Sequence, residues 1–133
     1  MQKKPIRLSP KHVKAVGNYS HVTIVPRNAQ LYTFSGQIGA DSEGNLPDSY
    51  TEQIENTFNN IKELLQSQNL DADDIIKVNI WAIQEIDWEN VFDPLWDKFF
   101  GEKYPSMTIA YISALGLPEI QIEIEILAAK GEE

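Results

Sequence analysis

The sequence predicts an α+β fold in which two helices cover one face of a six-stranded mixed sheet. Three observations carry this. Residues 120–127 alternate Ile120, Ile122, Ile124 and Ile126 with Gln121, Glu123 and Glu125, the period-2 pattern of a strand with two different faces. Residues 75–83 repeat it, setting Ile76, Val78, Ile80 and Ala82 against Lys77, Asn79 and Trp81. Between them, Ile54, Phe58, Ile61 and Leu65 recur at helical spacing. At 133 residues the chain has the size of a single domain, taken as residues 1–133, with no repeat, linker or low-complexity segment.

The elements follow in order. Residues 5–8 form a short edge strand, bracketed by Pro5 and Pro10. Residues 21–25 alternate again, and the turn signal from Pro26 through Asn28 to Gln30 leads into residues 31–35, which predicts a hairpin. Gly36, Gly39 and the polar run around Gly44 mark a loop. Ser49 followed by Glu52 is a capping box that opens the first helix, which runs to the vicinity of Asn69. The second helix spans residues 88–100. Pro94 either kinks it or restarts it with Asp93 as N-cap, and Gly101 stops it. Residues 107–113 and 120–127 are the last two strands. Met107, Ile109 and Tyr111 share one face of the former, and the face left by the helices carries Glu123 and Glu125 of the latter. A mixed face of that size suggests burial in an oligomer.

Composition narrows the function. Eleven Lys and Arg against twenty Asp and Glu give a net charge of -9, which disfavours nucleic acid and anionic membrane surfaces as partners. There is no cysteine, hence no disulfide, thiolate metal site or cysteine nucleophile. His12 and His21 have no companion at ligand spacing, so no metal is expected, and both read as solvated. No secretory h-region or bilayer-length apolar run is present, so the expected compartment is cytoplasmic. Lys3 and Lys4 read as a solvated, frayed end.

Several short motifs coincide in order and spacing: Tyr19-Ser20-His21, Phe34-Ser35-Gly36-Gln37-Ile38-Gly39, Gln53 and Asn60, Tyr104-Pro105-Ser106, and Ile122-Glu123-Ile124-Glu125. As a set they resemble the Rid (YjgF-type, reactive-intermediate deaminase) family over nearly the whole chain. The resemblance implies a chorismate-mutase-like fold, a homotrimer whose uncovered sheet faces meet, and small-molecule clefts between subunits. It also implies a catalytic glutamate that positions water, falling on Glu123, and a carboxylate-clamping arginine, falling on Met107. A thioether has no charge and no donor, so that clamp is missing here. A second departure is Asp93, where deaminase members often carry asparagine; a cap ahead of Pro94 accounts for it without chemistry.

The residues expected at the cleft are thus Glu123 as catalytic group and Tyr19, Ser35, Gly36, Met107 and Ile109 as the binding surface, with no cofactor. Each has a plainer reading. Glu123 is equally an interface carboxylate, Gly36 serves a strand-end turn, and Tyr19 and Met107 serve packing. Trp88, Phe92, Trp96 and Phe99 recur at helical spacing and read as core. Arg27 and Lys14 are the cations to consider in place of the absent arginine. Two functions stay open: hydrolysis of an imine or enamine outside the standard 2-imino acid class, and a non-catalytic binding, regulatory or chaperone-like trimer. The ribonuclease or translation inhibitor role credited to some members ranks last on charge.

Overall fold

The computed structural model describes residues 4–132. Its elements are β1 (Ile6–Leu8), β2 (Val22–Ile24), β3 (Gln30–Thr33), α1 (Tyr50–Ser67), β4 (Ile75–Ala82), α2 (Asp93–Phe100), β5 (Met107–Tyr111) and β6 (Ile122–Lys130). All six predicted strands are present, but they divide between two sheets. β3, β6, β4 and β5 lie in that order in a mixed sheet, and β1 and β2 form a separate antiparallel ribbon. The predicted hairpin is therefore corrected. Asn28 does turn the chain, with φ of 56°, yet β2 pairs with β1, and β3 leaves to pair with the far end of β6. A turn signal is local, whereas strand partners are chosen by distant burial.

Register explains the two faces of the main sheet. Val78, Ile80 and Ala82 stand opposite Ile126, Ile124 and Ile122 across β4–β6, and Val78 and Ile80 stand opposite Met107 and Ile109 across the parallel β4–β5 pair. All of these point to the helices. Onto them pack Ile54, Phe58, Ile61 and Leu65 of α1, with Phe92, Trp96 and Phe100. The other face carries Asn79 opposite Glu125 and Trp81 opposite Glu123. A bulge at Ile76 shifts the phase at the start of β4, so Ile75, rather than the predicted Ile76, is buried.

The first helix forms one half of the predicted capping box: Ser49 Oγ accepts from the Glu52 N–H at 3.2 Å, and no bond returns to the Glu52 side chain among the described residues. The second helix restarts as regular helix at Asp93 rather than running unbroken from residue 88, and the expected N-cap role of Asp93 is corrected. Residues Trp88–Phe92 form a wide π-type turn, in which the Phe92 N–H reaches Asp87 O at 3.0 Å, before regular helix begins. Widening the turn relieves the clash of a proline ring with the carbonyl four residues back. Asp93 itself has helical backbone and no side-chain cap bond. Gly101 closes the helix with φ of 61°, a left-handed conformation suited to glycine.

Polar anchors tie the ribbon to the sheet. Arg7 of β1 donates to the carbonyls of Lys103, Ala72 (2.7 Å) and Ile75 (2.8 Å), and lies over the Phe100 ring. Thr23 and Ser106 share a hydroxyl contact of 2.7 Å. Lys4, expected to be solvated, instead pairs with Asp71 and with the fully buried Asp74, which closes a capping box on the short turn Ala72–Asp74. Lys3 lies outside the described residues. Among the described residues no helix is long and apolar enough to cross a membrane.

Candidate functional site

Glu123 sits between the buried Ile122 and Ile124, so strand alternation alone turns its side chain to the uncovered face. The segment after β3 then lies beside it. Gln37 and Ile124 exchange both backbone hydrogen bonds, at 2.8 and 2.9 Å, which lays Gly36 against the Glu123 side chain. A Cβ at Gly36 would stand 2.0 Å from a carboxylate oxygen of Glu123. Gly36 is not among the glycines of positive φ, so the turn explanation is corrected: glycine is needed for close approach. Ser35 is exposed beside it, its carbonyl accepting from the Gln37 side chain.

Helix α1 holds this segment in place. Asn56 donates to Gly39 O, and Asn60 donates to both Ile38 O and Ala40 O at 2.9 Å. The buried Gln53 donates to Pro47 O and Glu119 O and accepts from the Gln121 N–H, joining the helix to the approach of β6. Amides at 53, 56 and 60 fall on one helix face, and together they set both chains that meet at Glu123. Glu125 accepts from Asn79 at 3.1 Å, which supplies the partner its sequence left unnamed. No donor among the described residues bonds the Glu123 carboxylate.

The remaining predicted residues gather elsewhere. Tyr19, Met107 and Ile109 line a cleft of about 460 Å³ with Trp88, Asp93 and Trp96. Tyr19 OH accepts from the Val16 N–H, and its ring meets His21 edge-on at 5.4 Å, so His21 is packed rather than solvated. Phe92 and Trp96 are core residues, as expected, yet they also form the cleft floor, and Trp88 donates its indole N–H to Tyr111 OH at 3.2 Å. Burial, then the neighbouring Asp97, pushes the Asp93 carboxyl above its ordinary range. A wider groove of about 510 Å³ between the helices, edged by Lys62 and Lys98, contains none of the predicted residues.

The fold and these two clusters can be set beside known proteins. A family model described as endoribonuclease L-PSP matches residues 9–130. The chain belongs to this family, also called Rid. A RutC family protein of Aquifex aeolicus is 31% identical over 124 residues, covering 92% of this chain and 96% of that protein. Protein HMF1 of Saccharomyces cerevisiae is 30% identical over 119 residues, covering 89% and 88%. The crystal structure of YyfB, a Rid-family protein from Yersinia pestis, covers 94% of this chain and 98% of its own with a TM-score of 0.81; at 17% identity that likeness concerns the fold.

Within this Rid chain the six predicted residues thus split three and three. Ser35, Gly36 and Glu123 lie at the uncovered face, whereas Tyr19, Met107 and Ile109 lie at the helix-covered face beside the edge strand β5. Met107 is separated from β6 by β4 and points to the opposite side. Arg27 and Lys14 are exposed and line no part of the cleft. Arg7, the cation that sequence reasoning did not weigh, is held by three backbone carbonyls. Asp93 and Trp88 were likewise missed as cleft residues, because helical spacing and capping offered sufficient reasons for both. Trp81 was missed too; cross-strand register with Glu123 is the signal that places it.

Proposed function

We propose that the chain forms a homotrimeric, cytoplasmic Rid protein whose inter-subunit clefts bind a small metabolite and hydrolyse an imine or enamine outside the 2-imino acid class. The observation that carries this is the split itself. Glu123 and its fitted glycine lie apart from the Tyr19–Met107 cleft, and that cleft is lined in the same chain by the carboxylate of Asp93 but not by Glu123. A neighbouring copy presenting its uncovered face would join the halves. Apolar groups that a monomer would leave to water support such an assembly: Leu31 is 64% exposed at the open face, and Ile6, Leu8, Val22 and Ile24 occupy one side of the ribbon.

In the joined cleft, Glu123 takes a proton from water as the oxygen adds to the imine carbon. That proton is passed to nitrogen to give the carbinolamine, and the hydroxyl proton then moves to nitrogen as the C–N bond breaks, leaving a carbonyl compound and ammonia. Met107 offers no cation to a substrate carboxylate, and Arg7 is already engaged. Native protein is therefore expected to accelerate hydrolysis of freshly generated 2-imino acids little or not at all, and Met107→Arg to raise that rate. Robust native hydrolysis in a coupled oxidase assay would show that another group supplies the cation.

The second reading, a trimer that binds without converting, is favoured by the Glu123 carboxylate, which no described donor orients. A saturable ligand recovered unchanged would select it. The family description names an endoribonuclease, but a net charge of -9 and a Glu123–Glu125 face repel a polyanion.

A further inference from the structure

The Tyr19 cleft carries a charge that its aromatic lining does not explain. Among its lining residues Asp93 alone is charged, and no lysine, arginine or histidine of the described residues lines the cavity. The same helix bears a second carboxylate one turn on, and the two are treated differently. Asp97 accepts from Tyr104 OH at 2.7 Å and from Asn18 Nδ2 at 3.2 Å. Asp93, half-buried in the cleft wall, bonds no donor among the described residues. The same cleft is lined by the rings of Tyr19, Trp88, Phe92 and Trp96 and by Met107. An unpartnered carboxylate beside several aromatic rings, in a cavity without cations, matches an alkylammonium or iminium group: the carboxylate supplies charge and the rings supply cation–π attraction.

We propose that this cleft takes a small organic cation lacking a carboxylate, with Asp93 as its counter-ion. Resting on the hydrolytic reading above, the substrate is then a protonated imine of the kind formed when a primary amine is oxidised. Its hydrolysis balances simply: water's oxygen bonds the imine carbon, the C–N bond breaks, and carbonyl compound and ammonium leave. The raised Asp93 carboxyl is consistent with a group that gains from a cation's arrival. The negative whole-chain charge draws cations to the mouth.

The test reads binding without turnover. The indole N–H signals of Trp88 and Trp96 are followed by NMR while the intact native protein is titrated with phenethylammonium, and separately with 3-phenylpropanoate, which has a similar length and opposite charge. The ammonium is expected to bind at least about tenfold more tightly, the scale of one desolvated cation–carboxylate contact. Asp93→Asn should bring the two within about threefold, with the Trp96 signal, fixed by its bond to Asn18 O at 2.8 Å, reporting an intact fold. Equal or tighter binding of the carboxylate, a preference that survives Asp93→Asn, or no response to the ammonium would each overturn the proposal. Ammonium binding without any imine hydrolysis would sink the catalytic reading alone. Hydrolysis of amine-derived imines unaffected by Asp93→Asn would sink this inference alone.

Discussion

Glu123→Gln is expected to lower imine hydrolysis by about 10²–10⁴-fold, the range for removing a general base, while the assembly and its stability stay as they are. The amide has the shape of the carboxylate but cannot accept the water proton. Its surroundings also tolerate it, since the side chain lies against the Gly36 backbone beside Trp81, with no described donor lost by neutralising it. Turnover measured beside sedimentation separates the two effects. Unchanged turnover would remove Glu123 from the chemistry.

Two glycines three residues apart should fail in different ways when changed to alanine. At Gly39 the added Cβ would stand 2.3 Å from Gln53 O and 2.4 Å from Gln53 Cα, both backbone atoms of α1. Helix backbone does not move aside cheaply, and shifting the loop would break the Asn56 and Asn60 bonds. Gly39→Ala is expected to cost about 3 kcal/mol, the upper part of the overpacking range, or roughly 10 °C in Tm. At Gly36 the obstruction is side chain rather than backbone, running from the Glu123 carboxylate oxygen at 2.0 Å to Cγ at 2.8 Å, and a change of rotamer would relieve it. Gly36→Ala should therefore cost about 1 kcal/mol or less and abolish turnover nearly as completely as Glu123→Gln. A Gly36→Ala protein with native activity would show that the Glu123 orientation described here is not the working one.

Much of this arrangement was legible from periodicity. The isoleucines of β6 announced both its faces, and Ser49 announced the start of α1. Strand pairing was not legible, because the Pro26–Gln30 turn carries the same residues whether β2 meets β3 or β1. Nor was the face of Met107. Alternation says that Met107, Ile109 and Tyr111 share a side, but only the parallel register with Val78 and Ile80 says that the side is the helix-covered one. The bulge at Ile76 is a further case, since one unpaired residue resets the phase without a composition signal. Gly36 was noticed for the wrong reason, and Asp93 was set aside for one. In both, the deciding contact is with residues distant in sequence.

The Rid resemblance assigns the glutamate to Glu123 and the arginine position to Met107, and the structure places these two residues on opposite faces of one sheet. In the proposed function the site is therefore built from more than one copy. Sedimentation equilibrium of the native protein tests this most directly. The expected mass is three times the 15.1 kDa of a single chain, held at the concentrations where turnover is measured. A mass of 15.1 kDa under those conditions would contradict the account, because Glu123 could then never meet the cleft that Met107 and Asp93 line.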